Sequence, residues 1–429
     1  MANAILEKFR DKNILIWGYG REGKSTEDFF RKHPIAKSVE ISEAKPDEID
    51  LSGYDYVFKS PGIRLAHPTL EGFGKDGLST GAQSSQDNSC FSKITSQTAL
   101  FIEAFRDRVI GITGTKGKST TTSLLHHVLK TCFENGSGGN SAPYRTAFLV
   151  GNIGVPCLDY FDEMDRGDAI AVFELSCHQL AYTTVSPHIA IFLNLYEDHL
   201  DFYGDRPTYF QAKRHITEYM TADDYLYLGT DVPALETKAQ IVRVTDRYED
   251  DAMNLLGEHN RYNASFVNHI ATGRFSLDPA AVKRSIEEFP GLPHRLQYIG
   301  TVDDVRYYDD SISTIPEATI QAAESVPDVA TILVGGMDRE IDYTPLIRFI
   351  PEHPEISFIC MYASGDRIFK EVQENSNVCY EPDLDAAVAK AKAITPAGKA
   401  CVLSPAAASY GYFKNFEERG DVFSSLVMS

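Results

Sequence analysis

Residues 111–120 read GITGTKGKST, and this stretch decides the fold. An apolar run over 108–112 leads into it and a helix-forming run over 119–130 follows, so the glycines sit at a strand-to-helix turn. Such a turn aims backbone N–H groups at an anion, and the helix dipole adds partial positive charge. Lys118 can reach terminal phosphates and Ser119 or Thr120 can hold Mg²⁺. Gly114, Thr115, Gly117, Lys118, Ser119 and Thr120 therefore form a nucleotide-binding set. The general phosphate-loop pattern wants glycine at 112, but that position is Ile and the glycine is Gly114. The GTKGKST spacing is not typical of GTPases or transport ATPases.

Downstream, AVFELSCHQ places Glu174 at the carboxyl end of an apolar strand over 169–174, where open α/β sheets carry functional groups. A second buried-type strand over 189–195 runs into NLYEDHLD, with Asn194, Glu197, Asp198, His199 and Asp201. Mg²⁺ prefers oxygen ligands, so a carboxylate, Ser119 and nucleotide oxygens make a workable set with His199 as an unusual member. The same acids could instead cap a helix. Lys213, in YFQAKRHI, reads by itself as a surface lysine. Asn260 and Asn263 in HNRYN could offer two amides to one ligand at i, i+3 spacing. Arg295 lies at the break in pattern around 290–293, where it could reach a phosphate. Asp310 could bind a ribose hydroxyl or cap a helix starting near Pro316.

Upstream, NILIWGYGREGKS gives a strand over 13–17, the turn Gly18-x-Gly20-x-x-Gly23 and a helix from about Ser25, the opening of a Rossmann-like unit. Glu40 stands near the position of a ribose-binding acid, which taken alone points to NAD. A strand-like run follows over 54–63, and the Gly/Ser-rich stretch 77–93 reads as a flexible loop at a domain border. Beyond 293, VRYYDD, VATILVGG, ISFICMYAS and KACVLSP alternate with helical stretches and predict another doubly wound sheet. The fold class is α/β in three domains: a Rossmann-like 1–97, a central phosphate-loop domain 98–291 and a Rossmann-like 292–429.

Composition bounds the function. A chain of 429 residues with 43% hydrophobic content is too long for one core. Its formal charge of −20 speaks against a general nucleic-acid binder, so local Lys and Arg must neutralise any phosphorylated ligand. No apolar run is long enough to span a bilayer, and MANAILEKFRDKN lacks the layout of a secretory signal, so a cytoplasmic protein without a membrane partner is expected. Seven scattered cysteines without a CxxC pair argue against a disulfide framework and a zinc site.

Taken in order, GTKGKST, VGNIG (150–154), FELSCHQL (173–180), NLYEDHLD (194–201), QAKRHI (211–216), LGEHNRYN (256–263), GLPHR (291–295), DDSIST (309–314) and LSPAAASYGYFKNFEERG (403–420) resemble the Mur ligases. The last box is the most specific to the branch of that family that adds glutamate. The resemblance implies ATP-dependent amide ligation in peptidoglycan precursor synthesis, with UDP-N-acetylmuramoyl-L-alanine and glutamate as partners and the chain acting as a monomer. It implies that Gly18, Tyr19, Gly20, Arg21 and Gly62 bind the UDP substrate instead of NAD, and that Asn152 lies near the phosphates. It assigns Glu174 and His199 to Mg²⁺, with two metal sites, and makes Lys213 a carbamylated lysine; Lys118, Lys213 and His199 are its catalytic set. It places Asn260, Asn263, Arg295 and Asp310 around ATP. Thr314, Arg339, Ser409 and Phe416 match its glutamate site.

Two positions depart from that pattern. DSIST carries Ile312 where the family has lysine, and GGMDRE carries Arg339 where a lysine would hold a glutamate carboxylate. D-glutamate is the expected substrate and L-glutamate the alternative. A folylpolyglutamate synthase-like ligase would lack the GYGREG and KSPGI of the first domain. A nucleotide-binding regulatory protein would tolerate loss of Lys213 and Glu174, and a dehydrogenase fused to an ATPase would retain NAD or flavin.

Overall fold

The computed structural model describes residues 2–65, 93–136, 143–181, 183–196, 200–250 and 252–429. Three α/β sheets follow one another along the chain. The first holds β1 (Asn13–Trp17), β2 (Ser38–Ser42), β3 (Tyr56–Lys59) and β4 (Ile94–Thr95) in the order β2-β1-β3-β4, all parallel. The second holds β5 (Val109–Thr113), β6 (Thr146–Gly151), β7 (Ala169–Glu174), β8 (Ile189–Phe192), β9 (Tyr225–Leu228) and β10 (Gln240–Arg243) in the order β10-β9-β8-β5-β7-β6. β5 lies at its centre and is buried throughout, as a continuous apolar run in a parallel sheet must be.

The third sheet holds β11 (Gln297–Val302), β12 (Val305–Asp309), β13 (Val329–Val334), β14 (Ser357–Met361), β15 (Val378–Glu381) and β16 (Ala400–Leu403). Its order is β11-β12-β16-β13-β14-β15, with only β11–β12 antiparallel. Helices supply the crossovers that parallel neighbours require.

The chain divides into two compact units, 1–249 with 262–286 and 250–261 with 287–429. The first two sheets share one core in the first unit: Phe29 from the helix Arg21–Lys32 packs edge-on to Phe161 at 4.9 Å, and Phe161 meets Phe105 at 4.9 Å. The third sheet has its own apolar layers on both faces, one around Ile332, Phe358 and Val402, the other around Leu333, Leu403 and Phe423.

Several elements begin or end away from where the sequence places them. The helix after the first glycine turn starts at Arg21, not about Ser25, because Gly20 itself takes the extended N-cap conformation. The phosphate-loop helix spans Lys118–Glu134, one residue earlier and four later than expected. β8 stops at Phe192, since Leu193 and Asn194 turn to brace the phosphate loop. The stretch 77–93 falls outside the described residues except for Lys93. No helix among the described residues is long and apolar enough to cross a membrane.

Candidate active site

In the first unit, β5 delivers the chain into the turn at Gly114, and Gly117 ends it in a left-handed conformation (φ 79°) as the N-cap of the helix Lys118–Glu134. Only glycine takes that conformation without strain, and a Cβ there would stand 2.7 Å from Asn263 Oδ1. Asn194 braces the turn: its Oδ1 accepts from the Thr115 and Lys116 N–H groups at 3.0 and 2.8 Å. This brace lies just past an apolar strand, and the sequence named Asn194 only as part of an acidic cluster. Thr115 and Thr120 are buried and Ser119 is half-buried in the first helical turn.

Two lysines converge on the loop. Lys118 Nζ donates to the Gly114 and Thr115 carbonyls at 3.0 Å each. Lys213, on the helix Arg206–Glu218, is 1% exposed, and its Nζ donates to the Gly114 carbonyl at 2.8 Å. Its ammonium also lies 4.7 Å from the ring centre of Tyr209, whose hydroxyl donates to Thr115 Oγ1 at 3.2 Å. Read alone in the sequence, Lys213 was a surface residue. The fold buries it because the helix lays that face against the loop.

Glu174 ends β7 completely buried, so it is no exposed helix cap. Its Oε1 accepts from Asn152 Nδ2 at 2.7 Å, while its Oε2 is buried with no hydrogen-bond partner among the described residues. A buried carboxylate oxygen left in that state is a donor atom suited to a hard cation. Glu174, on the strand paired with β5, and the Ser119 hydroxyl on the loop helix that follows β5 fit the oxygen chemistry of Mg²⁺. His199, with Glu197 and Asp198, lies outside the described residues, and no group of three metal-ligating side chains occurs among those described.

The first glycine turn follows the dinucleotide pattern in detail. Gly18 has φ 92°, and a Cβ on Gly23 would meet the Gly18 carbonyl oxygen at 2.1 Å, so the third glycine permits close helix-to-turn packing. Tyr19 hydrogen-bonds Glu27, Gly62 is exposed in the turn after β3, and Arg21 reaches the VGNIG segment through the Gly154 carbonyl at 2.6 Å. Glu40, the ribose-acid candidate, accepts from the Tyr54 hydroxyl at 2.7 Å. Glu22, which the sequence did not single out, accepts from Gln179 Nε2 at 2.8 Å, and Gln179 Oε1 accepts from the N–H of Ser176, the N-cap two residues beyond Glu174. Burial raises the Glu22 pKa, and burial lowers that of nearby Lys59 to about 8.

The second unit gathers the other set. Asp310, just past β12, is 5% exposed, and burial raises its pKa to about 6 although Ser313, Ser404 and the Leu296 N–H all donate to it. The helix Pro316–Ser325 is preceded by Ile315 with no side-chain cap, so Asp310 does not cap it. Arg295 is exposed and its charge acts on Asp310. Arg339 donates to the Thr314 carbonyl at 3.3 Å. Ser409 is buried, and the Phe416 carbonyl accepts from Ser311 Oγ at 2.8 Å. Beneath them lies Arg419, wholly buried, donating to Ser311 Oγ, the Ser311 carbonyl and the Ala407 carbonyl at 2.9, 2.6 and 3.0 Å. That side chain ties the loop carrying Thr314 to the loop carrying Ser409, and burial lowers its pKa to about 10.

Asn260 and Asn263 lie on the helix Glu258–Asn268. Asn260 Nδ2 donates to the Leu256 carbonyl at 2.8 Å, and Asn263 packs against Gly117.

Residues 112–246 match the Mur ligase middle domain. The UDP-N-acetylmuramoylalanine–D-glutamate ligase of Aquifex aeolicus is 31% identical, covering 96% of this chain and 98% of its own. A UDP-N-acetylmuramoyl-L-alanine–L-glutamate ligase of Micromonospora is 29% identical, with 98% of each chain covered. Among solved structures, the MurF ligase of Thermotoga maritima in complex with ADP superposes with a TM-score of 0.55 at 14% identity, covering 99% of this chain and 96% of that one.

Proposed function

The chain belongs to the Mur ligase family, and from that premise we propose that it is an ATP-dependent ligase joining D-glutamate to UDP-N-acetylmuramoyl-L-alanine. The observation that carries the reading is the convergence of Lys118 and buried Lys213 on the Gly114 carbonyl, together with a buried Glu174 oxygen that has no hydrogen-bond partner among the described residues. A loop that only held a nucleotide would not need a second, desolvated lysine.

A carboxylate and an amine do not condense at neutral pH, so the alanyl carboxylate must first become electrophilic. Its oxygen attacks the γ-phosphorus of ATP, the bond to the β-phosphate oxygen breaks, and ADP leaves an acyl phosphate. Lys118 draws the transferring charge, and the braced N–H groups of the loop fix the phosphates. Mg²⁺ bound by Glu174, Ser119 and His199 would supply further neutralisation of phosphate charge. The neutral glutamate amine then attacks the acyl carbon, the tetrahedral intermediate collapses, inorganic phosphate departs and the amine proton is lost.

Within this reading the first domain, 1–97, takes the UDP substrate through Gly18, Tyr19, Gly20, Arg21 and Gly62, with Asn152 of the second domain beside its phosphates. The second, 98–291, takes ATP, aided by Asn260, Asn263, Arg295 and Asp310. The third, 292–429, takes glutamate through Thr314, Arg339, Ser409 and Phe416. Lys213 acts as a carbamate: a neutral amine adds CO₂, and the product is an anion able to bind a second Mg²⁺.

A second reading, addition of L-glutamate, draws on the Micromonospora relative and on Arg339, whose planar fork fixes a carboxylate differently from a lysine. The test incubates the protein with UDP-N-acetylmuramoyl-L-alanine, ATP, Mg²⁺ and either glutamate enantiomer, following phosphate release and product mass. D-glutamate should give phosphate and a new amide together. Equal ATP turnover without acceptor, and no amide product, would refute ligation.

A further inference from the structure

We propose that Tyr412 is a positioning residue for the incoming glutamate: its ring, laid on Tyr362, and its hydroxyl, on the Ala363 N–H, fix the turn that carries Ser409 and leads to Phe416. The inference rests on the glutamate site assigned above, and it concerns two side chains outside that set.

Parallel sheets present ligands at the carboxyl ends of their strands, and in the second unit three loops are joined there. The loop after β13 carries Arg339, the turn after β14 begins at Tyr362, and the loop after β16 carries Ser409. Backbone joins the first to the last, since the Met337 N–H donates to the Ala408 carbonyl at 2.8 Å. The middle turn clasps the first through Ser364, whose Oγ accepts from the Gly336 N–H at 2.8 Å and whose N–H donates to the Gly336 carbonyl at 3.1 Å. Tyr412 ties the middle turn to the last.

Tyr412 stacks on Tyr362 with ring centres 4.0 Å apart and 27° between the planes, and Phe413 meets Tyr362 edge-on at 6.1 Å and 86°. The Tyr412 hydroxyl accepts from the Ala363 N–H at 3.2 Å. That donor lies in the first turn of the helix Tyr362–Val372, whose N-cap Met361 provides no side-chain acceptor, so Tyr412 supplies one. Tyr362 is held in turn: its hydroxyl accepts from the Leu384 N–H at 3.1 Å, and its φ of 58° is one that a bulky residue rarely adopts. Such a backbone persists where its surroundings over-determine it. The Ser409 carbonyl accepts from the Tyr412 and Phe413 N–H groups at 3.3 and 3.0 Å, so a shift of the Tyr412 ring passes directly to Ser409. Tyr412 is itself 44% exposed and stands outside both apolar layers of this sheet, so core packing does not explain how it is held.

Steady-state kinetics on the full chain test this, with each substrate varied in turn, the glutamate enantiomer that the parent ligates, and thermal melting alongside. Tyr412→Ala should raise the glutamate KM about tenfold, leaving the KM values for ATP and UDP-N-acetylmuramoyl-L-alanine within about twofold of the parent. Tyr412→Phe keeps the stacked ring and loses only the hydroxyl, so its glutamate KM should rise no more than about threefold. Tyr362→Gly suits the left-handed backbone but removes the ring beneath Tyr412, and should reproduce the rise of Tyr412→Ala. A glutamate KM within about twofold of the parent in either Tyr412→Ala or Tyr362→Gly overturns the inference. So does a rise in the KM of every substrate together with a lower melting midpoint, the mark of a merely structural role. A parent protein that forms no amide with glutamate shows itself before any variant is compared and removes the ligase reading, whereas an unaltered KM in variants of a ligating parent removes this inference alone.

Discussion

A buried carboxylate oxygen without a partner costs about 1–3 kcal/mol, and among the described residues Glu174 Oε2 has none. A fold carries that cost where the group has work to do. Glu174→Gln retains the acceptor for Asn152 Nδ2 but removes the anion, so the activity should fall by about 10²–10³-fold, several kcal/mol of barrier, while thermal stability holds or rises. Thermal melting beside steady-state phosphate release checks both halves. Asp310 gives a pH signature. Burial lifts its pKa from 3.8 to about 6, so the ionised form is disfavoured in the folded state. Its stabilising share is present below about pH 4 and is lost as pH climbs through about 6. As the proposed acceptor for the ATP ribose, Asp310 binds a hydroxyl more strongly when ionised, so activity should have an acidic limb near pH 6 that Asp310→Asn abolishes along with part of the ATP affinity. A limb unchanged in that variant would assign it to another group.

At the scale of elements, the two glycine turns were legible because both need conformations or clearances that only glycine supplies. Gly23→Ala would place a Cβ 2.1 Å from a backbone carbonyl, which no side-chain rotation relieves. The helix Arg21–Lys32 must then shift off β1, at a cost of about 1–3 kcal/mol, read as a lower denaturation midpoint together with weaker acceptor binding. Buried strands such as β5, β7 and β13 were equally legible, since each is a short apolar run beside a turn signal. Two edge strands were not: β10 is mostly exposed, and β11 carries Gly300 among half-buried and exposed positions, so neither has a hydrophobic pattern to find. The site divides in the same way. Lys118 and Glu174 announce themselves by local pattern. The roles of Asn194, Glu22 and Arg419 depend on Lys116, Gln179 and Ser311, between 78 and 157 residues away, which spacing alone cannot reveal.

Across the whole molecule, the distribution of core decides which parts melt together. The first and second sheets are sewn by Phe29, Phe161 and Phe105, with Ser25 Oγ donating to Asp159 at 2.6 Å across the same seam, whereas the third sheet buries its apolar residues in layers of its own. Phe29→Ala should remove about 3–5 kcal/mol, with the upper end reached because rings on both sides of the seam lose a partner. Native-state hydrogen exchange reads the outcome strand by strand. Protection should fall together in β1 and in β5, although only β1 belongs to the sheet that carries the mutated helix, and it should hold in β13 and β16. Loss confined to β1 and β3 would mean that the first sheet opens independently, and the shared core would then be two cores in contact. Joint loss would mean that the glycine turn at Gly18 and the phosphate loop at Gly114 are held by one cooperative body, so that the proposed acceptor and ATP sites are positioned by the same packing.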